Sequence, residues 1–323
     1  MTGIVRCGSA TSLGWGNMAR WWILLLFALT APGAAFADEI VAPDHTARDA
    51  TETTADQGEY PTRPWSLPPL EVRGQRKSPL VEEQRIGDYK QPRWTAQRRF
   101  PTTRVYVVPR GKSTFEYWNR WNAPLSSPID ARRVRSLYEW EFGLGHRLQF
   151  DIYLQTEATG YTGDFQLNAE KLELRYALAD WGELWGNPTL YLEWSRHHRE
   201  PDAVEAKLLL GGELAVGLHG GLNIVVERTL GGAMTNEYVV VGGLSKTLRD
   251  GGLALGVEGK WSLLDGKAKR FSALESAILV GPSVALSPIP PMNILLTTLL
   301  GQGTEGGDSK AVLENWLIIG WTM

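Results

Sequence analysis

From Ser113 onward the sequence alternates between apolar and polar residues in stretches that are long for strands of a soluble sheet. VRSLYEWEFGL sets Val134, Tyr138, Trp140, Phe142 and Leu144 on one side and Arg135, Glu139 and Glu141 on the other. RLQFDIYLQ sets Leu148, Phe150, Ile152 and Leu154 against Arg147, Gln149, Asp151 and Gln155. KLELRYAL, EAKLLLGGELAV and GLALGVEGKWSL repeat the pattern, with Glu173 and Arg175, then Lys207 and Glu213, then Glu258 and Lys260 on the polar side. A period of two marks an extended strand, because successive side chains leave the backbone on opposite faces. Turn signals such as Gly145-His146, Gly186-Asn187-Pro188, Asp250-Gly251-Gly252 and Gly306-Gly307-Asp308 separate the stretches. They divide residues 113–323 into about twelve strands of roughly 9 to 13 residues joined by hairpins.

Length decides between two architectures that share this alternation. Strands of soluble sandwiches average about five or six residues, whereas these are long enough to cross a bilayer at the usual tilt. The polar parity also carries small residues, among them Gly143, Ala177, Gly211, Gly243 and Gly256, which suit the crowded inside of a closed sheet. Trp118, Trp121, Trp181, Trp185, Trp194, Trp261 and Trp316 fall mostly near strand ends, where amphipathic rings prefer a membrane interface. In ADWGELWGNP, Trp181, Leu184 and Trp185 would share one face of a short helical turn lying along that interface. The last stretch, ENWLIIGWTM, puts Leu317, Ile319, Trp321 and Met323 on one face. In lipid an open sheet edge leaves backbone groups unpaired, so this strand, with Trp321 and Met323, is expected to close the cylinder against the first. The expected fold is all-β: a closed antiparallel transmembrane β-barrel of about 12 strands with an extended N-terminal tail and, for an even strand number, both termini on one side.

The region before the barrel reads as two parts. Arg20, an apolar run from Trp21 to Leu29, and Ala35-Phe36-Ala37 have the layout of a secretory signal peptide over residues 1–37. The apolar run is too short to span a bilayer, which takes roughly 20 residues. The single cysteine, Cys7, precedes that run and would be removed with it. Residues 38–112 are rich in Pro, Thr, Arg and Gln and too poor in apolar residues to bury a core of their own, so they are expected to be an extended, basic tail, with TRVYVVP as a candidate short strand. A formal net charge of −3 gives no reason to expect a nucleic-acid partner.

With its alternating strands, a GPSV turn-in at Gly281 to Val284 and the apolar last strand, the region 113–323 resembles Gram-negative outer-membrane β-barrel proteins, and within them porin-like transporters associated with phenol degradation. In that group the last strand typically ends on an aromatic residue, where this chain has Met323. The resemblance implies an outer-membrane location, the lipid bilayer and the barrel assembly machinery as partners, and passive passage of small solutes.

If the apolar parity faces lipid, the other parity lines the lumen. It collects Arg135, Glu139, Glu141, Arg147, Asp151, Glu173, Arg175, Glu193, Lys207, Glu213, Glu258 and Lys260. The balance is acidic, and carboxylates confined in a pore favour cations. The competing expectation is an interior of paired charges that satisfies itself and leaves a structural or partner-binding barrel. The basic tail matches an acidic lumen, so Arg98 and Arg99 are candidates for a plug that enters or covers its mouth. A lipid hydrolase would need a Ser and a His on the lipid face, but Ser195 and His197 share the inward parity of Glu193. GQGTEGGDSK lacks the Gly-Lys-Ser/Thr of a phosphate loop, and no catalytic residue, metal ligand set or cofactor is expected.

Overall fold

The computed structural model describes residues 80–126, 132–160, 163–268, 270–305 and 307–323. The signal peptide and the tail up to residue 79 lie outside the described residues. Two short elements come first, β1 (Arg85–Ile86) and β2 (Gln91–Pro92), which pair with each other. Twelve long strands follow: β3 (Ser113–Pro124), β4 (Arg133–Gly145), β5 (Leu148–Thr159), β6 (Gln166–Ala177), β7 (Thr189–His197), β8 (Ala203–Ala215), β9 (Leu218–Thr229), β10 (Asn236–Arg249), β11 (Leu253–Asp265), β12 (Glu275–Leu286), β13 (Met292–Glu305) and β14 (Asp308–Thr322). Each pairs antiparallel with its neighbour in sequence, and β14 pairs with β3, so the sheet closes as a twelve-stranded barrel. The seam runs from Val312 opposite Pro124 to Thr322 opposite Thr114. Beyond it the Met323 N–H donates to the Ser113 carbonyl at 2.8 Å, and the Ser113 N–H returns a bond at 3.3 Å.

The strands run from nine residues in β7 to fifteen in β14. Their outer face is a band of exposed apolar side chains that includes Trp140, Leu174, Leu192, Ile224, Val257, Ile278 and Leu300. A girdle of this extent has no counterpart on soluble monomers, and lipid is the solvent that suits it. Trp321 belongs to this face, while Phe115 beside it packs at 5.1 Å on Trp140. No helix among the described residues is long and apolar enough to cross a membrane.

Both termini of the barrel lie at one end, with the connections 146–147, 178–188, 216–217, 250–252 and 287–291. This is called the terminus end, and the opposite one the loop end. The structure differs from the sequence expectation in three places. Gly281 to Val284 stand inside β12, so GPSV is not a turn. Trp118 and Trp316 point inward, where they meet edge to face at 5.8 Å within a cluster that includes Leu295 and Ile318. Trp181 is also buried, whereas Trp185 on the same short connection is 89% exposed. Aromatic rings suit a cation-rich interior as well as an interface, and spacing along the chain does not separate the two.

The third difference is the largest. Residues 80–112 are packed inside the barrel at the terminus end, with Trp94, Phe100, Tyr106, Val107 and Val108 all buried. They form two single 3-10 turns, Val81–Glu83 and Arg93–Ala96, the β1–β2 pair, and a run over 103–109 that bends at Tyr106, with a φ of +68°, and is not the short strand expected there. A segment too polar to make its own core has been given one by the barrel wall.

Candidate functional site

The wall receives this inner segment in sockets made by small residues. A Cβ added at Gly243 would stand 2.7 Å from the Phe100 ring, and one at Gly211 would stand 2.4 Å from Val105. At Gly143 it would strike the Pro109 carbonyl at 2.1 Å. Ala177 packs with Tyr106, Trp94 and Trp181. Trp94 also stacks on His219 at 4.4 Å between ring centroids. Four of these positions, Gly143, Ala177, Gly211 and Gly243, are small residues on the inward parity of the sequence, and each is small where the inner segment comes closest.

Polar contacts follow the same line. Glu258 accepts hydrogen bonds on one oxygen from both the N–H and the hydroxyl of Thr102 and of Thr103, at 2.8 to 3.2 Å. Gln149 accepts from the Val108 N–H at 2.6 Å, Asn223 donates to the Thr102 carbonyl at 3.0 Å, and Asn293 donates to the Arg98 carbonyl at 3.1 Å. Buried backbone groups outside a sheet need such partners. These come from β5, β9, β11 and β13, on different sides of the lumen.

Charge is concentrated on β3 to β6. Arg98 donates to Glu116 at 2.8 Å and to Glu139 at 3.3 Å, lies 3.7 Å from Glu141, and sits 4.2 Å over the Trp118 ring. Arg104 donates to Glu141 at 2.7 Å. Arg175 reaches Asp151 at 3.2 Å and bonds Glu173, while the Tyr153 hydroxyl contacts Glu139 at 2.7 Å and also Glu173. Burial opposes the charge on Arg98, but Glu116, Glu139 and Glu141 outweigh it and hold its pKa above the ordinary guanidinium value. Carboxylate oxygens of Glu116, Glu139 and Glu141, and of Glu139, Asp151 and Glu173, lie within 4.8 Å of one another, a spacing that could suit a metal ion. Guanidinium groups occupy that centre instead, so the chemistry of the cluster is salt-bridge formation.

The remaining sequence candidates fall elsewhere. Glu193 binds Lys171 at 2.8 Å, and Lys207 binds Glu205 at 2.7 Å while lying over Tyr191. Glu213, at the terminus end, takes Arg85 at 3.1 Å and the Trp181 indole at 3.2 Å. Arg147 is not on the lumen wall: it sits in the β4–β5 turn with a positive φ and pairs with Asp180 at 3.2 Å. Arg99 meets Glu82 of the inner segment at 2.7 Å and no wall carboxylate within salt-bridge distance among the described residues. Ser195 is buried in the lumen and donates to Glu193 at 2.8 Å; His197, two residues on, donates its N–H to Asp202 at 3.4 Å, and His198 pairs with Glu170 at 3.0 Å, so Ser195 does not stand on the lipid face. Sequence reasoning missed Glu116, Tyr153 and Arg104. Glu116 lies in STFEYWNRWN, where aromatic residues occur at both parities and hide the inward one.

At the loop end the described residues line a vestibule of about 470 Å³. Its walls carry Arg120, Arg132, Arg133, Arg135, Lys260 and Lys310 against Glu237, Glu275 and Glu314. One end of the lumen is thus filled against an acidic wall, and the other holds a vestibule whose lining carries a local excess of cations.

No protein-family model matches this sequence, and no curated protein does. Among solved structures, the chain is similar to a structure described as the NanC porin, at 9% identity and a TM-score of 0.47, covering 64% of this chain and 98% of that one. It is also similar to the KdgM porin, at 9% identity and a TM-score of 0.42, covering 64% and 98%. A third is an outer membrane channel from Pseudomonas putida F1, at 11% identity and a TM-score of 0.43, covering 69% and 99%.

Proposed function

We propose that this protein is an outer-membrane channel for the passive passage of small solutes, closed at its terminus end by its own residues 80–112. The observation that carries the reading is that segment itself. It fills the terminus end of the lumen without adding a strand to the barrel sheet; apart from backbone bonds of Tyr89 with Trp181 and of Gly111 and Lys112 with Gly143, its bonds to the wall involve side chains, and all of them can be released while every wall strand stays paired. The apolar outer girdle supports the membrane, and the export signal read over residues 1–37 supports the outer one.

The proposed ionic preference depends on which state conducts. With the segment in place, Arg98 and Arg104 neutralise the acidic wall. Once it leaves, Glu116, Glu139, Glu141, Asp151 and Glu173 face the lumen with Arg175, and an acidic constriction favours cations.

The test is a disulfide lock. Val105→Cys with Gly221→Cys joins the inner segment to β9 where a Cβ on the glycine would lie 2.9 Å from Val105. In planar bilayers the oxidised protein should be silent and the reduced protein should open. Equal conductance in both states would show that the segment does not gate. Silence in both, with normal membrane assembly, would favour the closed, structural or partner-binding barrel.

A further inference from the structure

Within the channel reading just given, the loop-end vestibule has a chemistry of its own. Its cations share carboxylates in pairs: Glu314 of the lining takes Arg120 at 2.7 Å and Lys260 at 3.5 Å, and Arg135 and Arg133 share Glu157, outside the lining, at 2.7 Å and 3.2 Å. Arg120 Nε is buried with no hydrogen-bond partner among the described residues. Positive charge in a walled space of this size is an anion trap, and guanidinium groups select planar oxyanions, above all carboxylates.

Glu314 is also the first member of a ladder that runs down the barrel. The Trp316 indole donates to Glu314 at 2.8 Å, and Arg120 lies 4.8 Å over the same ring. Trp316 meets Trp118 edge to face at 5.8 Å. The Trp118 indole donates to Glu116 at 3.0 Å, and Glu116 accepts from Arg98 at 2.8 Å while Arg98 covers the Trp118 ring. The order is cation, carboxylate, indole, indole, carboxylate, cation, with a vestibule residue at one end and the inner segment's principal anchor at the other.

We propose that the vestibule binds small carboxylate solutes through Arg120 and Lys260, and that occupancy loosens the inner segment through the Glu314–Trp316–Trp118–Glu116 ladder. A bound carboxylate competes with Glu314 for Arg120 and Lys260. Glu314, losing those partners, no longer fixes the Trp316 indole, and the ring pair that supports Glu116 and Arg98 loses its upper neighbour. The solute then favours the open state by binding it more tightly than the closed one, the differential that any such coupling requires.

The test uses the full chain in detergent with citrate as the probe and glycerol as the neutral control. Calorimetry should show citrate binding that weakens as sodium chloride rises and that drops about tenfold or more in Arg120→Gln, the loss expected for a charge-assisted contact. Val105→Cys then reports release, since Val105 is buried against Gly211 and Gly221 and a thiol there reacts with a maleimide when the segment moves out. Citrate should accelerate labelling about fivefold or more, and glycerol should not. In Trp316→Phe, which keeps the ring but loses the indole N–H, binding should persist while the acceleration is lost. Absence of citrate binding overturns the site. Binding with an unchanged labelling rate overturns the coupling, and acceleration that survives in Trp316→Phe overturns the ladder. Conductance of the reduced disulfide variant decides the channel reading separately, so neither failure can be mistaken for the other.

Discussion

The terminus-end and loop-end halves of this barrel are built from the same strands under the same alternation, yet one is packed and the other hollow. In the packed half the wall carboxylates Glu116, Glu139 and Glu141 are met at the shortest distances by Arg98 and Arg104 of the inner segment, with Arg175 of the wall 3.7 Å from Glu139 and Glu141. In the hollow half Arg120, Arg135 and Lys260 are met by carboxylates of the wall itself. Neutralisation in the first half therefore depends largely on the inner segment, and in the second on the wall alone. An inventory of inward residues sums the two and misses the distinction.

The hardest way to break this contrast is to remove the inner segment. A chain lacking residues 38–109, with the signal retained, should conduct steadily and pass potassium faster than chloride in reversal-potential measurements, and the preference should shrink as salt screens the wall. Chloride preference in that variant would mean that the basic vestibule, and not the uncovered acids, sets selectivity. A smaller change is Arg98→Ala, which leaves Glu116 and Glu139 buried with less compensation. Removing one partner of such a group costs about 3–5 kcal/mol, and faster maleimide labelling of Val105→Cys in that background is the expected readout. Gly243→Val should have the next largest effect, because its Cβ would stand only 2.7 Å from the Phe100 ring while the strand itself tolerates it. Overpacking of about 1–3 kcal/mol would loosen the inner segment with no change in charge, separating steric release from electrostatic release. The smallest effect is expected from Trp321→Asp on the lipid face near the seam, about 1 kcal/mol or less at interfacial depth. It should slow assembly, seen as a reduced heat-modifiable band, and leave the contrast between the two halves intact.

The wall was legible in the sequence because lipid on one side and a polar interior on the other impose a strict period of two. Glu139, Glu141, Asp151, Glu173 and Arg175 point inward where their parity puts them, and all are buried. The period fades in β13 and β14, where Leu295, Leu299 and Ile318 are buried on the inner face and Leu296, Leu317 and Ile319 stand on the outer one. There the parity of Leu317, Ile319 and Trp321 still marks one strand face, but Trp316 stands on an opposite face that is apolar as well, and its ring reads equally as an interface residue. Of the inner segment only the charge match of Arg98 and Arg99 with an acidic lumen could be read, and its packing was hidden for a different reason. Composition asks whether a stretch can bury a core by itself, and residues 80–112 use Gly143, Gly211 and Gly243, contributed from elsewhere in the chain. Arg104 was part of a basic run like any other until Glu141 stood opposite it.

The seam brings Thr114 and Thr322 together across 208 positions of chain, and closing a loop of that size before any contact rewards it slows folding. The inner segment is continuous with β3 and touches β11 across 155 positions and β13 across 195. Each such touch divides one long closure into shorter ones. Residues 80–112 thus give the strands a mandrel to wind on, and a barrel made without them should reach its closed ring more slowly even where its finished wall is the same.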